Sequence, residues 1–290
     1  MQRLSGMFLI VISAAAFGSL GILGRFAYAD GLDAITLLFI RFSVAAVLMA
    51  SLLILRRERL PRGSTMGWLV GMGAIGYVGQ SYCYLTAVKY ASPGLVALLL
   101  YLYPIIVALL SIAILHEKVT RAKILALCLA LTGIALIVRP EGGQLPGILL
   151  ALAAAGIYSV YIIVGTRVMK QVTAIQSSTV LFASAGITFG LLMAIKGPQL
   201  PRSEAGWLAI ILIILFPTLI AVVCFLVGLA RIGATNAAML STLEPVVTVL
   251  LAYWLLGDQL KGISLLGGGL VLGAVLLLAV QELRLANKQI

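Results

Sequence analysis

The chain has 290 residues, of which 62% are hydrophobic and 10% charged, and its formal net charge at neutral pH is +11. A water-soluble domain is usually about 45–50% apolar and about 25% charged, so a single aqueous core could not absorb this excess. The positive balance does not point to nucleic acid as a partner, because Lys and Arg fall in short segments between long apolar runs, the pattern expected of membrane topology.

Ten apolar segments are long enough to cross a bilayer, and they are continuous rather than alternating, which excludes a barrel. They run 6–27, 34–55, 66–88, 93–115, 121–139, 146–166, 173–195, 205–229, 234–257 and 261–281. The first follows Arg3 and ends near "AYAD", so it mimics a secretory leader. It is read as a retained span, because it has a counterpart later in the chain. The second contains Arg41, the one basic residue well inside a span. Roughly seven rises of 1.5 Å put it about 10 Å below the outer boundary. That depth is within snorkelling reach of the interface; binding a carboxylate or pairing with Glu244 are the alternatives.

The third segment includes "GMGAIGYVGQSYCYLTA" and places Tyr77, Gln80, Ser81 and Tyr84 on one helical face. Tyrosines with an amide suit a wall that stacks and hydrogen-bonds; an interfacial aromatic belt is the plainer reading, for Tyr84 above all. The fourth holds Tyr101 and Pro104, the sixth Tyr158 and Tyr161, the eighth Pro217. The ninth contains "STLEPVV", in which Glu244 is the only acidic residue of the span, with Ser241 and Thr248 on its face and Pro245 after it. A charge at the bilayer centre costs several kcal/mol and must face a cavity or a partner. Glu244 is therefore a candidate for a substrate ammonium or a coupling proton, or else makes a structural hydrogen bond. Pro104, Pro217 and Pro245 are candidate hinges or static bends, since each removes a backbone hydrogen bond.

Shifted by 141 residues the chain matches itself: Gly6 meets Gly147, Gly24 meets Gly165, Pro104 meets Pro245 and Glu117 meets Asp258. Each half, 1–143 and 144–290, then carries five spans. An odd number inverts the second half, so the expected fold is an all-α integral membrane protein. Its ten transmembrane helices form two inverted five-helix repeats around a central cavity, a design typical of secondary transporters. Thirteen of the twenty basic residues fall on the side of the N-terminus, which predicts that both termini are cytoplasmic. Cys83, Cys128 and Cys224 have no ligand-like spacing, and no cofactor or metal is expected. No nucleophile with its base and no phosphate-cradling loop suggests an enzyme. A lone intramembrane Glu makes no charge ring for a channel.

The stretches "YLYPIIVALLSIAILHEKVT" and "STLEPVVTVLLAYWLLGDQL", each with a proline thirteen residues before an acidic residue, resemble the EamA domain of the drug/metabolite transporter superfamily. The resemblance covers essentially the whole chain and is nearest to the amino-acid exporter branch. It implies an inner-membrane carrier, in lipid and acting as a monomer, that moves amino acids or related small zwitterions outward, with protons as a possible coupling ion. A multidrug or organic-cation exporter is the alternative. The resemblance also implies a structural role for Glu244, because Leu-Glu-Pro is common in that family across different substrates. The substrate-binding candidates are Tyr77, Gln80, Tyr84, Tyr101, Tyr158, Tyr161, Ser241 and Glu244.

Overall fold

Long apolar runs satisfy their backbone groups internally, and the computed structural model is helical along nearly its whole length. It describes all residues except 1, 118, 139–141, 258, 260–261 and 288–290, and only the backbone of 282–287. Asp258, the counterpart of Glu117, and the basic residues Lys118, Arg139, Lys261 and Lys288, with the Arg284 side chain, lie outside the described residues. Among the described residues no strand forms beyond one isolated antiparallel bridge, Ala91 to Gly143.

Among the described residues ten helices follow in order: α1 Gln2–Ala29, α2 Ala34–Leu55, α3 over 64–87, α4 Pro93–Leu115, α5 Arg121–Val138, α6 Leu145–Val168, α7 Ala174–Lys196, α8 Glu204–Ile232, α9 Ala234–Leu256 and α10 Gly262–Asn287. Nine described helices are long and apolar enough to cross a membrane on those grounds alone. The tenth, α3, is long enough but carries Tyr77, Gln80, Ser81, Tyr84 and five glycines, which dilute its apolar character. Several helix starts carry side-chain caps. Asp33 accepts from the Thr36 amide at 2.6 Å, and Thr173 with Gln176 forms a reciprocal capping box at the start of α7.

Packing repeats between the halves. Helix α2 packs on its counterpart α7, and α5 on its counterpart α10. The contact of α1 with α8 is matched by that of α6 with α3, and α1 with α9 by α6 with α4. The α5–α10 crossing is close because it is made at glycines: a Cβ on Gly133 would come within 2.5 Å of the Gly267 carbonyl oxygen. The outer surface is studded with exposed Leu, Ile, Val and Trp, among them Trp254, as a lipid-facing surface requires.

The helices break at equivalent places. Helix α4 turns at Tyr101–Leu102 and restarts at Tyr103, and α9 turns at Thr242–Leu243 and restarts at Glu244. Pro104 and Pro245 each occupy the first turn after the break, where a missing N–H costs little. These spans are thus interrupted just before the proline rather than bent at it. Helices α3 and α8 each contain a π-helical segment, Met72–Tyr77 and Ile214–Ile220, the second around Pro217. Shifting by 141 residues superposes them. Two irregularities among the described residues have no partner: α1 is interrupted at Ser19, whereas α6 runs unbroken through the equivalent Val160, and α4 ends in a π-helical segment, Ser111–Leu115, where α9 stays α-helical.

Two carboxylates fasten the halves at opposite ends of the bundle. At the basic face, where α1 begins, Glu117 Oε2 accepts from the Thr235 hydroxyl at 2.7 Å, beside Gly233 at the start of α9. Glu117 thus joins the two halves through Thr235. At the opposite face Asp30 Oδ2 accepts from the amides of Arg202 and Ser203 at 2.7 and 2.8 Å, just ahead of α8. The Ser203 amide, with the Ser203 hydroxyl, holds the Asp30 carboxyl below its ordinary range.

Candidate functional site

The breaks of α4 and α9 bring Tyr103 and Glu244 to the middle of the bundle, and α3 and α6 supply the surrounding aromatic rings. Tyr158 stacks on Tyr161, with centroids 5.9 Å apart and planes 20° from parallel. Tyr158 also meets Tyr103 edge-on at 4.8 Å, and Tyr161 meets Tyr77 edge-on at 6.2 Å. Tyr77 continues to Phe42 at 4.9 Å, and Phe225 of α8 stacks on Tyr158 at 6.5 Å. The result is a continuous aromatic wall drawn from α2, α3, α4, α6 and α8.

Glu244 faces this wall. Tyr77, Tyr84, Tyr101, Tyr103 and Tyr158 all lie within its electrostatic range. Among the described residues its carboxyl has no hydrogen-bond or ion-pair partner; only its backbone oxygen is engaged, by the Thr248 hydroxyl at 3.1 Å. Although deep in the bundle, Glu244 is only half-buried, as are Tyr77, Tyr84, Tyr101 and Tyr158, so the space between them is not sealed. Tyr103 and Tyr161 are buried behind it.

The expected polar stripe on α9 resolves differently. Ser241 is buried, and its hydroxyl donates to the Ala237 carbonyl at 2.9 Å, one turn back. It lies against the Tyr103 hydroxyl, which also donates to the Ala238 carbonyl at 3.3 Å. Thr248 donates to the Gly18 carbonyl of α1 at 2.9 Å. Both hydroxyls are therefore engaged with backbone, and Glu244 alone of the stripe is left open. Gln80 is half-buried, and its side chain meets Ser81 at 3.4 Å rather than any ring of the wall.

Arg41 requires a correction. Its depth allowed snorkelling, but the side chain is only 2% exposed and turns inward. One terminal nitrogen donates to the Tyr77 hydroxyl at 3.3 Å, and the guanidinium carbon lies 4.6 Å from the centre of the Phe42 ring. The pull of the ring face and of the tyrosine hydroxyl competes with the reach to the interface.

Three ring residues, Tyr103, Phe42 and Phe225, were not singled out as candidates from sequence. The repeat register contained the signal for two of them: Tyr103 is the counterpart of Glu244, and Phe225 that of Tyr84. A separate groove of about 490 Å³ lies between α1, α8 and α9, lined by Ile12, Ser19, Leu23, Phe216, Ile220 and Leu255. It is apolar, on the outside of the bundle and away from the tyrosines. Among the described residues no group of three or more His, Cys, Asp or Glu side chains is placed to hold a metal.

A solved crystal structure superposes on this fold with a TM-score of 0.83 over 97% of this chain and 98% of the other, at 21% identity. The uncharacterized transporter YyaM of Bacillus subtilis is 25% identical over 250 residues, covering 81% of each chain. The uncharacterized inner membrane transporter YedA of Escherichia coli K12 is 25% identical over 83% of this chain and 80% of its own. A protein named aromatic amino acid exporter YddG, from Ancylobacter novellus, is 27% identical over 63% of this chain and 65% of its own. The sequence profile of the EamA-like transporter family matches residues 4–139 and again 145–280. With nearly the whole chain matched in two consecutive units, the protein belongs to the EamA-like transporter family, a group of multi-pass membrane transporters.

Proposed function

We propose that the protein is a secondary transporter that exports amino acids, aromatic ones included, or related small zwitterionic metabolites across the inner membrane by alternating access. The observation that carries this reading is the open Glu244 carboxyl, set among tyrosines where two equivalent broken helices meet. A carboxylate kept deep in a bundle without a protein partner has its counter-charge to gain from a passing solute. In this reading Glu244 takes the substrate ammonium, or a proton on the return journey. Tyr77, Tyr84, Tyr101 and Tyr158 hold the side chain, Tyr161, Tyr103 and Ser241 support them from behind, and Gln80 lies at the margin. Pro104, Pro217 and Pro245 mark the hinges about which the halves rock. The name of the Ancylobacter relative supports the substrate class.

The protein works as a monomer in lipid, with both termini cytoplasmic, without cofactor, nucleic acid or catalytic chemistry. A second reading, export of organic cations, is favoured by one observation: a carboxyl set among tyrosines also suits an alkylammonium. Proteoliposomes holding the purified protein, offered labelled amino acids and organic cations with and without a pH gradient, decide between them. Uptake of amino acids is expected. Uptake of cations alone would replace the first reading with the second, and a rate indifferent to the pH gradient would remove the proton.

A further inference from the structure

Two charged side chains sit deep between the helices without an opposite charge at ion-pair distance among the described residues, and Glu244 is only one of them. The other is Arg41. A guanidinium stays protonated in any protein and offers five N–H donors in a rigid fork. Here the Nε–H is buried with no acceptor. The one hydrogen bond from a terminal nitrogen, to the Tyr77 hydroxyl, is 3.3 Å long, whereas charge-assisted bonds close to about 2.7–2.9 Å. Phe42 covers one face of the group without accepting a proton. An arginine placed only to hold helices together would be saturated by carbonyls or a carboxylate, because an unpaired buried cation is costly.

Tyr77 connects the two unpaired charges. Its hydroxyl accepts from Arg41 and lies within electrostatic range of Glu244. Positive and negative groups are thus held apart along one aromatic wall, linked through Tyr77. We propose that Arg41 is the carboxylate-binding residue of the site. It exchanges the long Tyr77 contact for a two-pronged contact with the carboxylate of the substrate, while Glu244 meets the ammonium. This rests on the transport reading above and narrows it to solutes that bear a carboxylate. Arg41 would thereby reject amines that lack one, since they leave the guanidinium unpaired.

The test uses the full chain in proteoliposomes and three probes with a common ring: phenylalanine, phenethylamine, which lacks the carboxylate, and 3-phenyllactate, which lacks the ammonium. The wild type should take up phenylalanine at least about tenfold better than phenethylamine. Arg41→Gln should lower phenylalanine and phenyllactate uptake about tenfold or more and leave phenethylamine within about twofold. Arg41→Lys, which keeps the charge but not the fork, should fall between. Equal loss of all three probes, or an unchanged ratio, would overturn the proposal. If the Gln variant does not fold, the ratio in Arg41→Lys decides by the same criterion. Phenylalanine uptake with an unchanged variant ratio refutes Arg41's role alone. Wild-type uptake of phenyllactate but not phenylalanine refutes the amino-acid reading, while a phenyllactate loss in Arg41→Gln still supports the arginine. Uptake of phenethylamine alone, or of no probe, overturns both.

Discussion

Tyr103 and Glu244 are counterparts in the two halves, and they lie within electrostatic range of each other, each the residue before a proline where a broken helix restarts. Equivalent residues that meet must straddle the pseudo-two-fold axis, so the axis of the fold passes through the aromatic site. The duplicated halves therefore place unlike groups, a phenol and a carboxyl, at the one location where symmetry would make them alike.

Glu244→Gln keeps the shape of that group and removes its charge. Amino-acid transport should drop roughly tenfold to a hundredfold, in line with a lost charged hydrogen bond of about 1.5–3 kcal/mol. Dependence on the pH gradient should disappear with it. Melting in detergent should change little, because no described side chain bonds to the carboxyl. Transport at the wild-type rate would leave the carboxylate without a role.

Gly18 faces the same junction from α1. A Cβ there would come within 2.8 Å of the Glu244 carbonyl oxygen and 2.9 Å of the Val247 side chain. Gly18→Val should therefore push α1 from α9 and destabilise the protein by about 1–3 kcal/mol, the usual cost of overpacking. Thermal melting checks the size, and Gly21→Ala is the control, since its nearest neighbour would be 4.0 Å away.

Thr235 supplies the hydroxyl that holds Glu117 at the basic face. Thr235→Val removes the donor while keeping the volume, and should cost about 1–2 kcal/mol. Cysteines introduced along α9 should label faster from that face in the variant. Unchanged labelling would mean that the contact does not help to close it.

Asp30 gives a pH dependence at the other face. Amide donors from Ser203 and Arg202 hold its carboxyl below the ordinary value of 3.8. A depressed folded-state value stabilises the protein above the unfolded value, and the gain is lost as pH falls through the folded one. Asp30→Asn should therefore melt lower than wild type at neutral pH. The gap should narrow as pH falls below 3.8, and a gap independent of pH would contradict the assignment.

Ten spans and two halves could be read from the chain because apolar length and repeat register are one-dimensional properties. The π segments could not, although Gly76 and Pro217 stand 141 residues apart, because no residue type dictates an extra residue per turn. The break at Ser19 carries no proline; it sits where Gly18 allows α9 to approach and the Thr248 hydroxyl bonds its carbonyl. Depth left the direction of the Arg41 side chain open, and Phe42 and Tyr77, from two helices, decide it. On α9 the stripe of Ser241, Glu244 and Thr248 was visible, but not that two of its members are spent on backbone.

The matched π turns in α3 and α8 give each of these two helices one residue of slack. If such a turn tightens to the α form, the helix beyond it rotates by about 100° and shifts by about 1.5 Å while keeping its backbone bonds. The residues just beyond the two turns include Tyr84 in one half and its counterpart Phe225 in the other. Taking up the slack in one helix while the other pays it out would turn a ring toward the axis on one side and away on the other, like a ratchet whose click is one residue.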